Sequence, residues 1–348
     1  MPRAPKSDWP RIAGALGAVI PRSALHPAVV AWADEGGDAA ARGPWAVAFS
    51  GGADSLALLL LLWAHWPERR ARLTALHFNH RLRGRASTAD ARFCAGVCAA
   101  LGVRFAAGEW AGSRKGASEA EARTARFEFF QSEFGRRRIL ALWLGHQQDD
   151  IAETLLMRLA RGSGTAGLAA PRPLQAMPGG RVHVRPLLTL KKQELIAALK
   201  AAGAAWREDA SNETEDYFRN RIRLEGLPAW RSSATDRDAL AGAALSRELL
   251  DEDDRALEAW VDALAPVSAD GRQLDVKVLQ HKPRAVVRRA LHRWLAVQGA
   301  NAGDLSRQGF SALLTAVERG SFTRFSLGRD GFAVLRKGFL VFEKKPVH

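Results

Sequence analysis

Residues 46–55 read AVAFSGGADS and carry the strongest local signal in this sequence. An apolar strand runs directly into Gly51 and Gly52, which lack a Cβ and so permit a very tight turn. The turn opens a leucine-rich helix, and the unpaired first N–H groups of a helix attract phosphate. No lysine follows the glycines, so this is not the G-x-x-x-x-G-K-[ST] loop. An ordinary capped glycine turn is the alternative. We expect phosphate-binding groups at Ser50, Gly51, Gly52, Ala53, Asp54 and Ser55.

Strands and helices alternate on either side of this turn. Short apolar runs predict strands at 45–49, 73–78, 103–109, 139–144 and 182–186. Longer amphipathic patterns predict helices near 54–66, 88–101, 117–134, 147–161 and 190–202. Such alternation builds a mostly parallel, doubly wound α/β sheet of Rossmann-like type. Ligands of these sheets bind at the carboxyl ends of the strands.

A second polar corner follows the fourth predicted strand, where residues 145–164 read GHQQDDIAETLLMRLARGSG. On a helix, Asp150 and Glu153 share one face, and Asp149 stands one turn before Glu153. Carboxylates in the first turns suit the helix dipole and also suit a hard cation or an ammonium group. Capping acids on a surface helix are the alternative. The helix ends near Arg158 and Arg161.

A third polar group closes the second predicted strand, in the run LHFNHRLR at 76–83. Asn79, His80 and Arg83 fall where a nucleotide base or ribose binds in such sheets. His77, by strand alternation, is equally well explained as a hydrogen-bonded strand residue.

The overall charge indicates a polyanionic partner. The chain of 348 residues has 51 Lys and Arg against 37 Asp and Glu, a formal net charge of +14. Nucleic acid is the first candidate and an anionic membrane the second. No apolar run is long enough to cross a membrane, so we predict a cytoplasmic protein. Cys94 and Cys98, the only cysteines, exclude a disulfide framework and are expected to be buried on one helical face, away from the candidate site.

The chain is expected to divide into an N-terminal extension at 1–43, a catalytic domain at 44–231 and a C-terminal domain at 232–348. The extension contains a short helix at 12–20 and an Ala/Gly-rich loop at 33–41. Helices are predicted in the C-terminal domain at 236–264, 283–298 and 304–319, followed by β-hairpins from strands at 322–327, 332–336 and 339–343. Trp294 is expected in its core.

Together these motifs resemble the tRNA(Ile)-lysidine synthetase family. The Ser-Gly-Gly-x-Asp-Ser turn alone resembles the PP-loop of ATP pyrophosphatases, which cleave ATP between its α- and β-phosphates. The narrower resemblance depends on the order of further motifs at 119–127, 185–188, 208–212 and 217–223, and spans about 44–225. The chain departs from the family at Arg81, where a small residue is usual.

The resemblance implies a two-step reaction. The wobble cytidine of an isoleucine tRNA with a CAU anticodon attacks the α-phosphate of ATP, and the ε-amino group of free L-lysine then displaces AMP. It implies catalytic roles for Asp54, Asp150, Glu153 and Arg223, with Asp54 as a ligand for Mg²⁺. ATP contacts are implied at Ser50–Ser55, Asn79, His80, Arg83 and His146, and lysine contacts at Asp150, Glu153 and Asn212.

The resemblance also implies partners. Contacts with tRNA are expected at Arg158, Arg161, Arg219, Arg288 and Arg289, and a homodimer is expected because family members often dimerise. Two alternatives stay open at this point. One is another PP-loop tRNA-modifying enzyme of the 2-thiolation type, and the other is a non-catalytic RNA-binding protein.

Overall fold

The structure is a computed structural model that describes residues 7–81, 85–110, 112, 119–208, 218–298, 305–328 and 331–345. These residues form two compact units, Met1–Glu248 and Leu249–His348. The predicted boundaries at 43/44 and 231/232 separate an N-terminal extension, a catalytic domain and a C-terminal domain, and they stay predictions. The predicted sites Arg83 and Asn212 lie outside the described residues.

Helices and strands alternate through the first unit as predicted. The helices are α1 Trp9–Val19, α2 Pro27–Glu35, α3 Ala39–Arg42, α4 Ala53–His65, α5 Arg85–Leu101, α6 Glu119–Arg137, α7 Gln148–Arg161, α8 Thr165–Leu168, α9 Lys192–Ala201, α10 Phe218–Arg221, α11 Leu227–Ser233, α12 Ala239–Leu264, α13 Arg284–Val297 and α14 Arg307–Arg319. The strands are β1 Trp45–Ala48, β2 Leu73–Asn79, β3 Arg104–Glu109, β4 Ala141–Trp143, β5 Leu174–Met177, β6 Arg181–Val184, β7 Gln273–Asp275, β8 Thr323–Ser326, β9 Gly331–Arg336 and β10 Phe339–Lys344.

The first unit is built on a six-stranded sheet in the order β3-β2-β1-β4-β6-β5. The pairs that join β3, β2, β1, β4 and β6 are all parallel, which confirms the predicted doubly wound α/β fold. Strand order reverses between β1 and β4, because β2 lies on one side of β1 and β4 on the other. A crevice opens at such a switch point beyond the carboxyl ends of the strands.

One strand of this sheet was not predicted. β5 pairs antiparallel with β6, and Gly179 and Gly180 make the connecting turn with φ of +76° and +70°. The run Leu174–Met177 lies at the sheet edge with no fully buried residue, so it lacks the apolar pattern that marks the central strands.

Helices cover both faces of the sheet. On one face, α4 carries the fully buried run Leu56–Leu60, and α1 and α9 pack against α4. On the other face, α6 places Phe130 and Phe134 against Leu76 and Leu142. Because its strands are buried on both faces, the sheet has the continuous apolar runs from which the fold was predicted.

The N-terminal 43 residues contain more helix than expected. The predicted helix at 12–20 is present as α1, but the loop predicted at 33–41 is wrong. Helix α2 runs to Glu35 and ends at Gly36, whose φ is +59°. Asp38 then caps α3, accepting a hydrogen bond of 2.7 Å from the N–H of Ala41. A short capped helix was not distinguished from a loop because its composition is dominated by small residues.

The second unit combines helices with an antiparallel sheet in the order β7-β10-β9-β8. The predicted C-terminal hairpins are present as β8, β9 and β10, and β7 was not predicted. Trp294 is fully buried among Val286, Leu313 and Leu340, as expected. Within the described ranges, no helix is both long enough and apolar enough to cross a bilayer.

Candidate functional site

Two loops meet at the switch point of the sheet. One follows β1 and leads into α4, and the other follows β4 and leads into α7. They touch at Gly145, where a Cβ would lie 2.9 Å from the carbonyl oxygen of Asp54 and 3.2 Å from the nitrogen of Ser55. The sheet therefore joins two of the predicted motifs into one site, although nearly a hundred residues separate them.

The close approach at Gly145 gives a testable prediction. Gly145→Ala would press a methyl group into backbone atoms that cannot rotate away, so we expect a loss of about 1–3 kcal/mol in unfolding free energy and weaker ATP binding. Urea denaturation and calorimetric titration measure the two effects. The matched control is Gly96→Ala in α5, where a Cβ meets nothing within 4 Å. Equal stability of both variants would contradict the prediction.

The loop after β1, residues 49–52, is held open by its own hydrogen bonds. The hydroxyl of Ser55 donates to the Gly52 carbonyl at 3.0 Å and accepts from the N–H of Ser50 at 3.2 Å. The hydroxyls of Ser50 and Ser55 lie 3.0 Å apart. Gly51 has φ +91°, a conformation that favours glycine. These contacts fix the conformation of the turn that leads into α4.

Asp54 is a half-buried residue with one buried, unsatisfied carboxylate oxygen. Its Oδ1 has no hydrogen-bond partner among the described residues. Burial and the nearby carboxylate of Asp150 raise the pKa of Asp54 to about 6, and the positive charges of Lys192 and Arg223 oppose that shift. A buried oxygen of this kind is costly unless a cation or a donor joins it. Asp54 therefore marks a position prepared for a positively charged ligand.

The acidic face of α7 is paired with two arginines. Glu153, only 2% exposed, accepts hydrogen bonds from Arg219 Nε at 2.8 Å and from Arg223 Nε at 2.7 Å. Arg219 also donates to Asp150 Oδ1 at 2.6 Å. Asp150 Oδ2 accepts from the Gln147 N–H at 3.1 Å, so the capping role that was the alternative is also real. The predicted carboxylates and arginines thus form one cluster.

His146 is present in this site as a neutral side chain. Its Nδ1 accepts a hydrogen bond of 3.0 Å from Arg185 Nε. Burial, followed by the charge of Arg185, lowers the pKa of His146 to about 3. A neutral imidazole that accepts at Nδ1 carries its proton on Nε2. His146 is therefore a fixed donor at neutral pH.

The third predicted group lies at the end of β2. Asn79 is 5% exposed, and its Oδ1 accepts from the Arg81 N–H at 2.8 Å. His80 packs edge-on against Phe78 with centroids 4.9 Å apart. Arg81 has φ +56°, so the position at which this chain departs from the family is one that favours a small residue. His77 is buried, and its Nδ1 donates to the Phe49 carbonyl at 2.9 Å.

The expectation that the cysteines lie away from the site is wrong for Cys94. A Cβ at Gly51 would lie 3.0 Å from Cys94 Sγ, so this thiol packs directly under the phosphate-binding turn. The expected burial is confirmed, because Cys94 and Cys98 are both fully buried. Burial raises the pKa of both thiols, to about 12 for Cys98. Neither is activated as a thiolate.

Three further residues at this site were given no role from the sequence, although Arg185 lies in the motif at 185–188. Arg185 orients His146, Lys192 acts electrostatically on Asp54, and Arg207 contacts the turn at Gly51. The Lys192 N–H also donates to Asp149 Oδ2 at 3.1 Å. No local signal marks Lys192 or Arg207 as site residues, since basic residues are common throughout this sequence.

The predicted tRNA contacts fall in different environments. Arg161 is exposed at the end of α7, and Arg158 is half-buried one turn earlier. In the second unit, Arg288 is exposed, whereas Arg289 is paired with Asp254 and Glu258. Arg219 lies on Glu153 as described above. These assignments to tRNA stay predictions.

A metal ion would have few protein ligands here. Within the described ranges, no group of three or more His, Cys, Asp or Glu side chains is arranged to hold a metal ion. Mg²⁺ commonly binds through one or two carboxylates together with substrate phosphates and water. The unsatisfied oxygen of Asp54 fits that mode of binding.

Comparison with known proteins agrees with this site. A model of the PP-loop domain family matches residues 33–230, which is more than half of the chain. A tRNA(Ile)-lysidine synthase of Geobacter sulfurreducens is 37% identical over 277 residues, covering 76% of this chain and 56% of the relative. One from Symbiobacterium thermophilum is 37% identical over 290 residues, covering 78% and 58%. The chain thus spans less than two thirds of the length of these curated relatives.

A solved structure gives the same fold. The U34-tRNA thiolase of Methanococcus maripaludis superposes with a TM-score of 0.50 at 15% identity, covering 69% of this chain and 78% of that one. At this identity the likeness concerns the fold alone.

Proposed function

This chain belongs to the PP-loop family and is homologous to tRNA(Ile)-lysidine synthases, and from that premise we propose that it joins free L-lysine to C2 of the wobble cytidine of tRNA(Ile), using ATP. One observation carries the proposal: the turn at 50–55 abuts Gly145, in the loop that leads into the helix bearing Asp150 and Glu153. A nucleotide and an amine would therefore meet at one crevice.

The first step is adenylation of the tRNA. Cytidine O2 attacks the α-phosphate of ATP, an O–P bond forms, and pyrophosphate leaves with the electrons of the broken P–O bond. The amides at the start of α4 and the Ser50 hydroxyl would bind the departing pyrophosphate. Asp54 would hold Mg²⁺, which neutralises phosphate charge when bound. His146, neutral and donating from Nε2, suits a contact with the nucleotide.

The second step is displacement of AMP by lysine. The ε-amine forms a C–N bond at C2 and the C–O bond to AMP breaks, so one proton must leave the amine. We infer that the carboxylates of Asp150 and Glu153 bind the ammonium group, with Asn212 as a further predicted contact. Because the reference pKa of lysine is about 10.4, the bound ammonium must give up a proton before the amine can attack, and one of these carboxylates would accept it. We propose that Arg223, which binds Glu153 and acts electrostatically on Asp54, would steady the adenylate phosphate.

An assay with purified protein tests the function. We expect AMP release from ATP to require both lysine and a tRNA transcript with a CAU anticodon, and the product nucleoside to gain the mass of lysine. A transcript with a GAU anticodon is the control. AMP release at the same rate with and without lysine would overturn the proposal in favour of another PP-loop chemistry. Tight tRNA binding without AMP release would favour the non-catalytic alternative.

The second unit offers a prediction about tRNA binding. Arg288 is exposed, so Arg288→Ala should weaken tRNA binding, lower the salt dependence by about one phosphate contact and leave stability unchanged. Arg289 is 12% exposed and pairs with Asp254, which is 6% exposed, at 2.5 Å. Arg289→Ala should therefore cost about 2 kcal/mol of unfolding free energy because it leaves the buried Asp254 without this partner. Filter binding at several salt concentrations and urea denaturation separate the two, and the reverse pattern would contradict the assignment.

The remaining expectations are part of the same proposal. The net charge of +14 suits a tRNA partner. ATP, lysine and tRNA are cytoplasmic, so we propose a cytoplasmic protein. Homodimer formation is an expectation that light scattering would test.

A further inference from the structure

Arg207 connects the phosphate-binding turn to a neighbouring helix. It lies in the extended segment after α9, and its backbone N–H donates to the Gly51 carbonyl at 2.9 Å. Its guanidinium Nε donates to Asp90 Oδ1 of α5 at 2.6 Å. A single residue thus bonds the turn through its main chain and the helix through its side chain.

The packing around Gly51 reinforces this connection. A Cβ at Gly51 would meet Cys94 Sγ at 3.0 Å, Phe93 Cδ1 at 3.4 Å and Arg207 Cγ at 3.5 Å. Asp90 and Cys94 are one helical turn apart, so the same face of α5 supports both the arginine and the turn. At Gly51, the turn therefore packs against α5 and against the aliphatic part of the Arg207 side chain.

Asp90 is a suitable anchor because it is buried. It is 6% exposed, whereas the Arg207 side chain is 42% exposed. A buried carboxylate needs donors, and a charged donor satisfies it better than a neutral one. Asp90 also acts electrostatically on His77, whose Nδ1 donates to the Phe49 carbonyl. The carbonyls of Phe49 and Gly51 thus both accept hydrogen bonds from neighbours of Asp90.

We propose that Arg207 is a positioning residue that holds the Gly51 carbonyl, and with it the amides of the turn, in the orientation that binds ATP phosphates. Gly51, with φ +91°, has the conformational freedom to rotate its peptide planes when that carbonyl is released. The inference rests on the proposed nucleotide site but not on the use of lysine.

Direct titration with Mg²⁺ and ATP, without tRNA or lysine, tests this role. Arg207→Ala should raise the Kd for ATP about tenfold, the scale of one charge-assisted hydrogen bond. In steady state the KM for ATP should rise and the kcat at saturating ATP should change less, which is the pattern of lost binding. Arg207→Lys should restore part of the affinity. The matched control is Arg92→Ala, which removes an exposed arginine from α5, the helix that bears Asp90. This variant should bind ATP as the wild type does.

A double-mutant cycle with Asp90→Asn isolates the pair. If Arg207 acts through Asp90, the double variant should bind ATP no more weakly than Arg207→Ala alone. Arg207→Gln provides a milder variant should the alanine variant not fold. Wild-type affinity for ATP in folded Arg207→Ala, or strictly additive effects with Asp90→Asn, would overturn the inference. If the wild type itself bound no ATP, the proposed function would fail instead.

Discussion

Asp54→Asn is expected to abolish release of pyrophosphate from ATP while leaving tRNA affinity unchanged. The substitution keeps the shape of the side chain and removes the negative charge with which Asp54 would hold Mg²⁺ beside the phosphates at the start of α4. Losing an electrostatic contact to the reacting group costs about 10³-fold in rate. Single-turnover pyrophosphate release and filter binding of tRNA measure the two quantities.

The matched control for Asp54 is Asp236→Asn, which changes an exposed carboxylate. It should behave as the wild type in both assays. If Asp54→Asn lost tRNA binding together with adenylation, Asp54 would be misassigned. If it retained adenylation, the nucleotide site would lie elsewhere.

Asp54→Asn should be more stable than the wild type at high pH. The folded protein keeps the Asp54 proton up to about pH 6, whereas the unfolded carboxyl has its ordinary pKa near 3.8. Stability therefore falls as pH rises between these values, because the folded state binds more protons there. At pH 8 the burial of the charge costs on the order of 2–3 kcal/mol. Asp54→Asn should gain that amount at pH 8 and almost none at pH 4, as measured by urea denaturation.

Glu153→Gln is expected to impair the use of lysine far more than the use of ATP. Glu153 neutralises Arg219 and Arg223, so the uncharged amide would leave two guanidinium groups facing the ammonium of the substrate. We expect the KM for lysine to rise about 100-fold, comparable with loss of one or two charged hydrogen bonds. The KM for ATP should change less than about threefold, because the hydrogen bonds of Glu153 within the described residues go to Arg219 and Arg223.

Glu153→Gln should also lower stability, since breaking a buried ion pair from one side costs about 3 kcal/mol. Assays are therefore run at a temperature where the variant is folded. Glu225→Gln, an exposed acid near Arg223, is the matched control. An equal rise in both KM values would contradict the assignment of Glu153 to the lysine pocket.

Contiguous motifs were predicted well and distant partners were not. The turn at 50–55 was identified because a buried strand, two glycines and a helix follow one another in the chain. Glu153 and Arg223 were each selected, but their ion pair was not foreseen. Arg207 was missed because its partners, Gly51 and Asp90, lie more than a hundred residues earlier, at a distance that periodicity does not cover.

The edge of the sheet shows the same limit. Central strands such as β1 are buried on both faces and therefore stand out as apolar runs. β5 is an edge strand with intermediate burial and was not detected. The prediction of a loop at 33–41 was wrong for a different reason. The Asp38 cap stabilises a helix of only four residues, which is too short to show a periodic pattern.

The sequence by itself determined the alternation of strands and helices, the phosphate-binding turn and the acidic start of α7. These are local properties, set by burial periodicity and by backbone conformations that a few neighbouring residues control. Only the tertiary structure decided that β4 lies beside β1, so that Gly145 touches Asp54 and the two corners share one crevice. It also showed that Arg207, Arg219 and Arg223 form ion pairs with the carboxylates of Asp90, Asp150 and Glu153. The physical reason is that strand order and ion pairing depend on contacts between segments far apart in the chain.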